Sequence, residues 1–287
     1  MITVGITYDR VKWEEKALLK AVKKRNLQLR LVDSKEIYLD TLEEPEEVRS
    51  TFGDIVVQRC ISHFRGLHLA AILESKGLTV INPFKVSEVC GNKLYTTLAL
   101  IKAGIPVPKT LIAFTEKGAL KALDALGYPA VLKPVSGSWG RLIALVKSRE
   151  AAQAIIEARE EIRNALLQIY YFQEYVERPP RDIRTLVVGD EVVAAAYRYS
   201  RVGEWRTNVA RGGVSKACPL TDELKEIAFR AAEAVGGGVL AVDCMESPEG
   251  LLVHEVNGRA EFRGLSSATK IDIADKIIDY VVGVAKK

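Results

Sequence analysis

The sequence predicts two unlike units, a small parallel α/β domain followed by an α+β domain built from antiparallel pairs. Three observations carry this. At 287 residues, 48% hydrophobic and 27% charged, the chain exceeds one domain of ordinary size and can bury a substantial core. Its first ninety residues alternate short β-branched runs with amphipathic stretches, as strands joined by crossover helices do. Beyond the Pro-spaced boundary Ile105-Pro-Val-Pro-Lys109, hairpin signals dominate.

The N-terminal elements are strands at Ile2–Tyr8, Gln28–Val32, Asp54–Arg59 and Thr79–Asn82, with helices at Lys12–Lys24 and Phe64–Lys76, the latter stopped by Gly77. The turn after the first strand, Thr-Tyr-Asp-Arg-Val-Lys-Trp, lacks the glycines of G-x-G-x-x-G, which argues against a dinucleotide dehydrogenase. A helix then runs from Asn82-Pro83 through Ala103 to Gly104. The second unit reads as strand Thr110–Phe114, helix Glu116–Leu126, strand Tyr128–Val135, a Gly/Ser loop, strand Arg141–Lys147, helix Arg149–Leu166 and strand Gln168–Glu177. Val188-Gly-Asp-Glu191 and Ser247-Pro-Glu-Gly250 close hairpins. Thr221 opens a helix with Asp222 and Glu223 in its first turn, and an apolar-striped helix starts from Asp272.

Composition narrows function. The 41 Lys+Arg and 37 Asp+Glu leave a net charge of +4, and no basic run interleaves with aromatics, so neither a nucleic-acid groove nor a membrane surface is expected, while an acidic partner stays open. No apolar run approaches the ~20 residues of a membrane helix, and MITVGITYDR is no signal peptide, so a cytoplasmic protein is expected. Cys60, Cys90, Cys218 and Cys244 form no Cys-x-x-Cys pair, nor do His63, His68 and His254 cluster with them, so structural zinc is not expected.

Four pieces can carry chemistry. Lys133 precedes the loop Gly137-Ser138-Trp139-Gly140-Arg141, whose backbone N–H groups can cover phosphates; alone, it also reads as a plain turn. In the last hairpin, Glu255 and Asn257 share a strand face, and a three-residue Pro248-Glu249-Gly250 loop would pair Ser247 with Leu251 and Asp243 with Glu255. Such paired acids form either a hard-oxygen cage for Mg²⁺ or surface carboxylates. The stretch Gln173-Glu174-Tyr175-Val176-Glu177 offers a free edge to an adenine, with Asp182 following to hold a ribose. Arg184, Arg198, Arg206 and Arg211 match anions if they converge, and otherwise are scattered surface charges.

Together, Lys93 in Cys90-Gly-Asn-Lys-Leu, Lys133 before its loop, Glu174-x-Val176 and Asp243…Glu255-x-Asn257 resemble the ATP-grasp superfamily, whose two lobes grip ATP between antiparallel sheets. The first ninety residues match the α/β domain preceding the grasp. Within the superfamily, Gly137–Arg141, Arg181-Asp-Ile-Arg184, Asn208-Val-Ala-Arg-Gly-Gly213 and Glu255-Val-Asn257 resemble RimK-like ligases that modify the carrier protein LysW in lysine and arginine biosynthesis.

The resemblance implies a pre-ATP-grasp domain at 1–90, a small lobe at 91–176 and a large lobe at 177–287. It implies ATP held by Lys93, Lys133, Gly137, Ser138, Trp139, Gly140, Arg141, Gln173, Glu174, Val176, Asp182 and Asn208, and Mg²⁺ held by Asp243, Glu255 and Asn257. Arg184 and Arg198 are the implied catalytic residues, and Arg198, Val209, Ala210, Glu261, Phe262, Arg263, Gly264 and Leu265 the implied amino-acid site. The implied reaction forms an amide between an acidic amino acid and the C-terminal glutamate of an acidic LysW carrier through an acyl phosphate, releasing ADP; a homo-oligomer is expected. Gly258-Arg-Ala-Glu-Phe-Arg-Gly264-Leu265 and Glu204-Trp-Arg206 are more similar to the glutamate-using branch than to the α-aminoadipate branch, although Leu265 replaces that branch's Phe. An α-aminoadipate–LysW ligase of lysine biosynthesis or a dual-substrate enzyme, a ligase adding glutamate to another protein's C-terminus, and a non-catalytic ATP-binding module are the alternatives.

Overall fold

A computed structural model describes residues 2–201, 203–207 and 213–286. The N-terminal sheet holds β1 (Thr3–Tyr8), β2 (Gln28–Asp33), β3 (Ile55–Gln58) and β4 (Thr79–Ile81) in the order β2-β1-β3-β4, every pair parallel. Central strands of such a sheet are covered on both faces. Helices α2 (Pro45–Phe52) and α3 (His63–Ser75) cover one face through Phe52, Leu69 and Leu73. Val4 and Ile6 lie in a second core with Leu18 and Val22 of α1 (Trp13–Lys24) and Ile277 and Val281 of α10 (Ile273–Ala285). The last helix of the chain therefore packs against the first domain.

The sequence reading omitted α2, although Pro45 in its first turn followed by Glu46 and Glu47 is a start signal. The single helix expected through Ala103 is two, α4 (Phe84–Cys90) and α5 (Lys93–Lys102). Asn92 Oδ1 accepts N–H bonds from Leu94 (3.0 Å) and Tyr95 (3.4 Å), capping a new helix that starts at Lys93.

The next sheet, β5 (Thr110–Ala113), β6 (Ala130–Lys133), β7 (Ala144–Val146) and β8 (Tyr170–Glu174), has the order β5-β8-β6-β7 with antiparallel pairs. Helices α6 (Glu116–Leu126) and α7 (Arg149–Ile162) pack on it through Leu123 and Ile156. The strand expected from Arg141 starts at Ala144 because the preceding residues belong to the loop.

The third sheet contains β9 (Arg181–Val188), β10 (Glu191–Tyr199), β11 (Val214–Ala217), β12 (Val239–Ser247) and β13 (Gly250–Asn257), ordered β11-β10-β9-β12-β13 and antiparallel throughout. Helices α5 and α8 (Asp222–Ala234) close one face, while α9 (Arg263–Thr269) and α10 close the other. Among the described residues, no helix is long and apolar enough to cross a membrane.

The last hairpin corrects the expected register. Ser247 pairs with Gly250, so the loop has two residues, and the offset is restored by a bulge between the Cys244–Val253 and Asp243–Glu255 pairs. The extra residue is His254. Asp243 faces Glu255 as anticipated, through a different local geometry.

Candidate active site

Registers across the third sheet assemble a charged grid. Arg198 pairs with Asp182, Arg184 with Asp243, and Asp243 with Glu255. Side-chain alternation puts Asp182 with Arg184, and Glu255 with Asn257, on common faces. The Arg184 fork donates to both Asp243 oxygens at 2.8 and 2.7 Å, and Arg198 Nη2 lies 3.1 Å from Asp243 Oδ2. Arg198 also donates to both Asp182 oxygens at 2.7 Å, and Thr207 Oγ1 donates to one of them. Asn257 Nδ2 stands 3.4 Å from Asp243 Oδ2. Burial opposes charge on both aspartates, but Arg184 and Arg198 outweigh it at Asp243, as Arg198 does at Asp182, so both carboxyls stay below the usual range. Glu255 is held down against its burial by Lys93, whose Nζ is 3.2 Å from Oε1.

Opposite the grid lies the glycine loop. Gly137, Trp139 and Gly140 have φ of +145°, +61° and +63°, conformations that glycine adopts readily and tryptophan rarely. Lys93 Nζ donates to Gly137 O at 2.8 Å, and Arg206 Nη1 to Gly140 O at 3.3 Å. Trp139 Nε1 donates to Glu261 Oε2 at 3.3 Å, while Lys12 Nζ lies 4.8 Å from the indole centroid. At the end of β6, buried Lys133 donates to Gln173 Oε1 at 2.5 Å, and desolvation pushes its pKa down to about 8. After β8, the backbone groups of Tyr175 and Val176 make no hydrogen bond to other described residues.

Two cavities share the Lys93, Trp139, Arg198 and Glu255 wall. The inner one, about 80 Å³, is bounded by Lys133, the glycine loop, Glu174 to Val176 and the apolar Val131, Ile143 and Met245. The outer one, about 470 Å³, reaches the first domain at Gln58, Cys60 and His63, and includes Arg184, Asn257, Arg259 and Glu261.

Most sequence-selected residues converge here. Lys93, Lys133, Gly137 to Arg141, Gln173, Glu174, Val176, Asp182, Arg198 and Glu255 line the inner cavity. Asp182 has both oxygens engaged by Arg198 and Thr207, which leaves the expected ribose contact to compete with an existing fork. Glu261 borders the outer cavity, tied to Lys12 at 2.8 Å. Phe262, Arg263, Gly264 and Leu265 line neither cavity: Phe262 and Leu265 are core residues, Arg263 N donates to Glu14, and a Cβ on Gly264 would meet Ser215 Oγ at 3.0 Å. Asn208, Val209, Ala210 and Arg211 lie outside the described residues. The sequence reading missed His254, Met245 and Thr207 in the inner cavity and Gln58, His63 and Asn82 in the outer one. For His254 the signal was hidden by the bulge, since strict alternation turns it away from Glu255.

Lys133 and a glycine loop on one antiparallel lobe, facing Lys93 and paired acids on another, define an ATP-dependent ligase of the grasp type. The chain belongs to the RimK-like ATP-grasp ligases: residues 90–281 match the RimK-like ATP-grasp domain, and residues 4–89 match the LysX preATP-grasp domain. It is 35% identical over 281 residues to "Glutamate--LysW ligase ArgX" of Sulfolobus acidocaldarius, covering 97% of each chain. It is 34% identical over 287 residues to "Alpha-aminoadipate--LysW ligase LysX" of Sulfurisphaera tokodaii, covering 99% of each. A RimK domain ATP-grasp protein from Sphaerobacter thermophilus superposes with a TM-score of 0.79 at 26% identity, over 98% of this chain and 100% of that one. Enzymes of this family use ATP with Mg²⁺.

Proposed function

We propose that this ligase joins the α-amino group of glutamate to the side-chain carboxylate of the C-terminal glutamate of a LysW carrier, in arginine biosynthesis. The observation that carries the reading is the pair of cavities meeting at one cationic wall. Nucleotide in the inner cavity and acceptor in the outer one bring the transferable phosphoryl group and the carboxylate together at Lys93, Arg184 and Arg198. The relatives' names supply carrier and amino acid, and the 258–265 segment favours glutamate. Gly264 itself lines neither cavity and packs against Ser215 of β11.

In this reading Lys93, Lys133 and the loop amides hold the phosphates, and the Tyr175-Val176 backbone holds the base. Asp243, Glu255 and Asn257 would hold Mg²⁺, which would neutralise charge on the phosphates: Glu255 borders both cavities, whereas the Asp243 oxygens accept from Arg184 and stand against Arg198 and the Asn257 amide nitrogen, so Asp243 would trade these partners for the metal. A carboxylate oxygen of the carrier attacks the γ-phosphorus and the bond to ADP breaks. The amine nitrogen then attacks the acyl carbon, the carbon–oxygen bond to phosphate breaks, and the nitrogen sheds its extra proton. Arg184 and Arg198, already forked on Asp243 and Asp182, hold fixed positive charge where negative charge gathers. The test is intact mass of LysW after incubation with enzyme, ATP, Mg²⁺ and either amino acid. Gain of one glutamyl unit with equimolar ADP is expected. No gain refutes the proposal, and gain with α-aminoadipate alone moves the enzyme to the other branch.

A further inference from the structure

One polar side chain in the inner cavity has no task in the scheme above. His254 occupies the bulge of β13, so that it and its neighbour Glu255 both line the same cavity. Its side chain is only 10% exposed, and among the described residues neither Nδ1 nor Nε2 has a hydrogen-bond partner. A buried ring with two unpaired nitrogens is costly, and a ligand is one source of the missing partners.

The surroundings select the part of the ligand. Nε2 lies 3.9 Å from Asp182 Oδ2, whose carboxylate is already engaged by Arg198 and Thr207. Lys133 is the charge that acts most strongly on the ring, but Asp243, Asp182 and Glu255 all act against it, and three carboxylates around the ring disfavour a phosphate at that spot. Phosphate-attracting groups gather instead at Lys93, Lys133 and the glycine loop, while Val131, Ile143, Met245 and the Tyr175-Val176 backbone form the apolar end suited to a base. Between base and phosphates a nucleotide presents its sugar, uncharged and carrying hydroxyls that donate and accept. An uncharged imidazole offers one donor and one acceptor.

We propose that His254 recognises the ribose of the bound nucleotide, its ring nitrogens hydrogen-bonding a sugar hydroxyl, and thereby sets the preference for a ribonucleotide over its deoxy analogues. This rests on the nucleotide reading of the inner cavity. The experiment is calorimetric titration of the full chain with Mg²⁺ complexes of ATP, 2′-deoxyATP and 3′-deoxyATP, for the native protein and for His254→Leu and His254→Gln. The native protein should bind ATP about tenfold more tightly than at least one deoxy analogue. His254→Leu should bring that ratio near one by weakening ATP alone, and His254→Gln should retain part of it. Equal affinities in the native protein, or a ratio undiminished in both variants, overturn the proposal; equal weakening of all three nucleotides assigns the ring to phosphate or base and overturns it too. If His254→Leu fails to fold, as a thermal melt will show, His254→Gln and the native comparison decide. Absence of any ATP binding by the native protein refutes the nucleotide reading itself, whereas binding without sugar discrimination refutes only the role of His254.

Discussion

The inner and outer cavities meet at one wall but are assembled in opposite ways. The inner cavity draws many of its groups from compact stretches, the glycine loop, the end of β8 and the last hairpin, to which α5 adds Lys93, β9 Asp182 and β10 Arg198. The outer cavity draws on residues far apart in sequence, with Gln58 and His63 from the first domain facing Arg259 and Glu261 near the end of the chain. Buried ties close that distance: Glu15 Oε1 accepts from Arg59 Nε at 3.0 Å and Arg259 Nη2 at 3.1 Å, and Arg59 Nη1 donates to Ala260 O at 3.0 Å. The inner cavity is thus written largely in short stretches of sequence, and the outer one in tertiary structure.

The largest expected effect falls on the inner grid. Asp243→Asn should lower turnover by about 10³-fold, since it removes one charge from a preorganised buried set. Its stability should fall as well, because Arg184 and Arg198 lose their shared anion; breaking such a buried pair costs about 3–5 kcal/mol. Turnover and denaturant midpoint, measured together, check this. Near-native turnover would remove Asp243 from the grid's chemistry.

Second in size is Leu265→Ala. Leu265 is 3% exposed in the core shared with Phe262 and α10, and its truncation should cost about 2–5 kcal/mol. Urea unfolding with little change in midpoint would return this residue to the amino-acid pocket that the sequence suggested.

Those two positions show how far the sequence could be read. The Asp243–Glu255 pairing was legible because hairpin register follows from a short loop, yet the loop has two residues and the bulge at His254 restores the offset. A bulge leaves no periodic trace, so His254 escaped notice. Lys133 and its loop were legible because lysine, glycine and turn chemistry sit within nine residues of chain. Gln58 and His63 were invisible because only the packing of the first domain brings them to the outer cavity, and Leu265 was misplaced because an apolar residue beside a motif reads equally as pocket wall or core.

A smaller effect, about tenfold, is expected from pH. Burial sets the folded Lys133 pKa at about 8, against ~10.4 in the unfolded chain. Between those values the unfolded state binds more protons, so stability rises with pH; affinity for phosphate moves the other way as the ammonium discharges. Titration with Mg²⁺ and ADP should show affinity falling about tenfold from pH 7 to pH 9, with a flatter profile in Lys133→Met. An identical slope in both proteins would assign the pH dependence elsewhere.

The smallest effect concerns the outer mouth. With a net charge of +4, docking of an acidic carrier should slow by a few-fold when ionic strength rises through the range where the Debye length drops below ~10 Å. Stopped-flow association rates independent of salt would point to an apolar contact instead.

The coupling of the two cavities is tested most directly by isotope transfer. LysW carrying ¹⁸O in its C-terminal glutamate side-chain carboxylate is incubated with enzyme, ATP, Mg²⁺ and glutamate, and the released phosphate is analysed by mass. Phosphoryl transfer onto that carboxylate predicts one ¹⁸O in phosphate for each amide formed. Amide formation with unlabelled phosphate would contradict an acyl phosphate made where the inner and outer cavities meet.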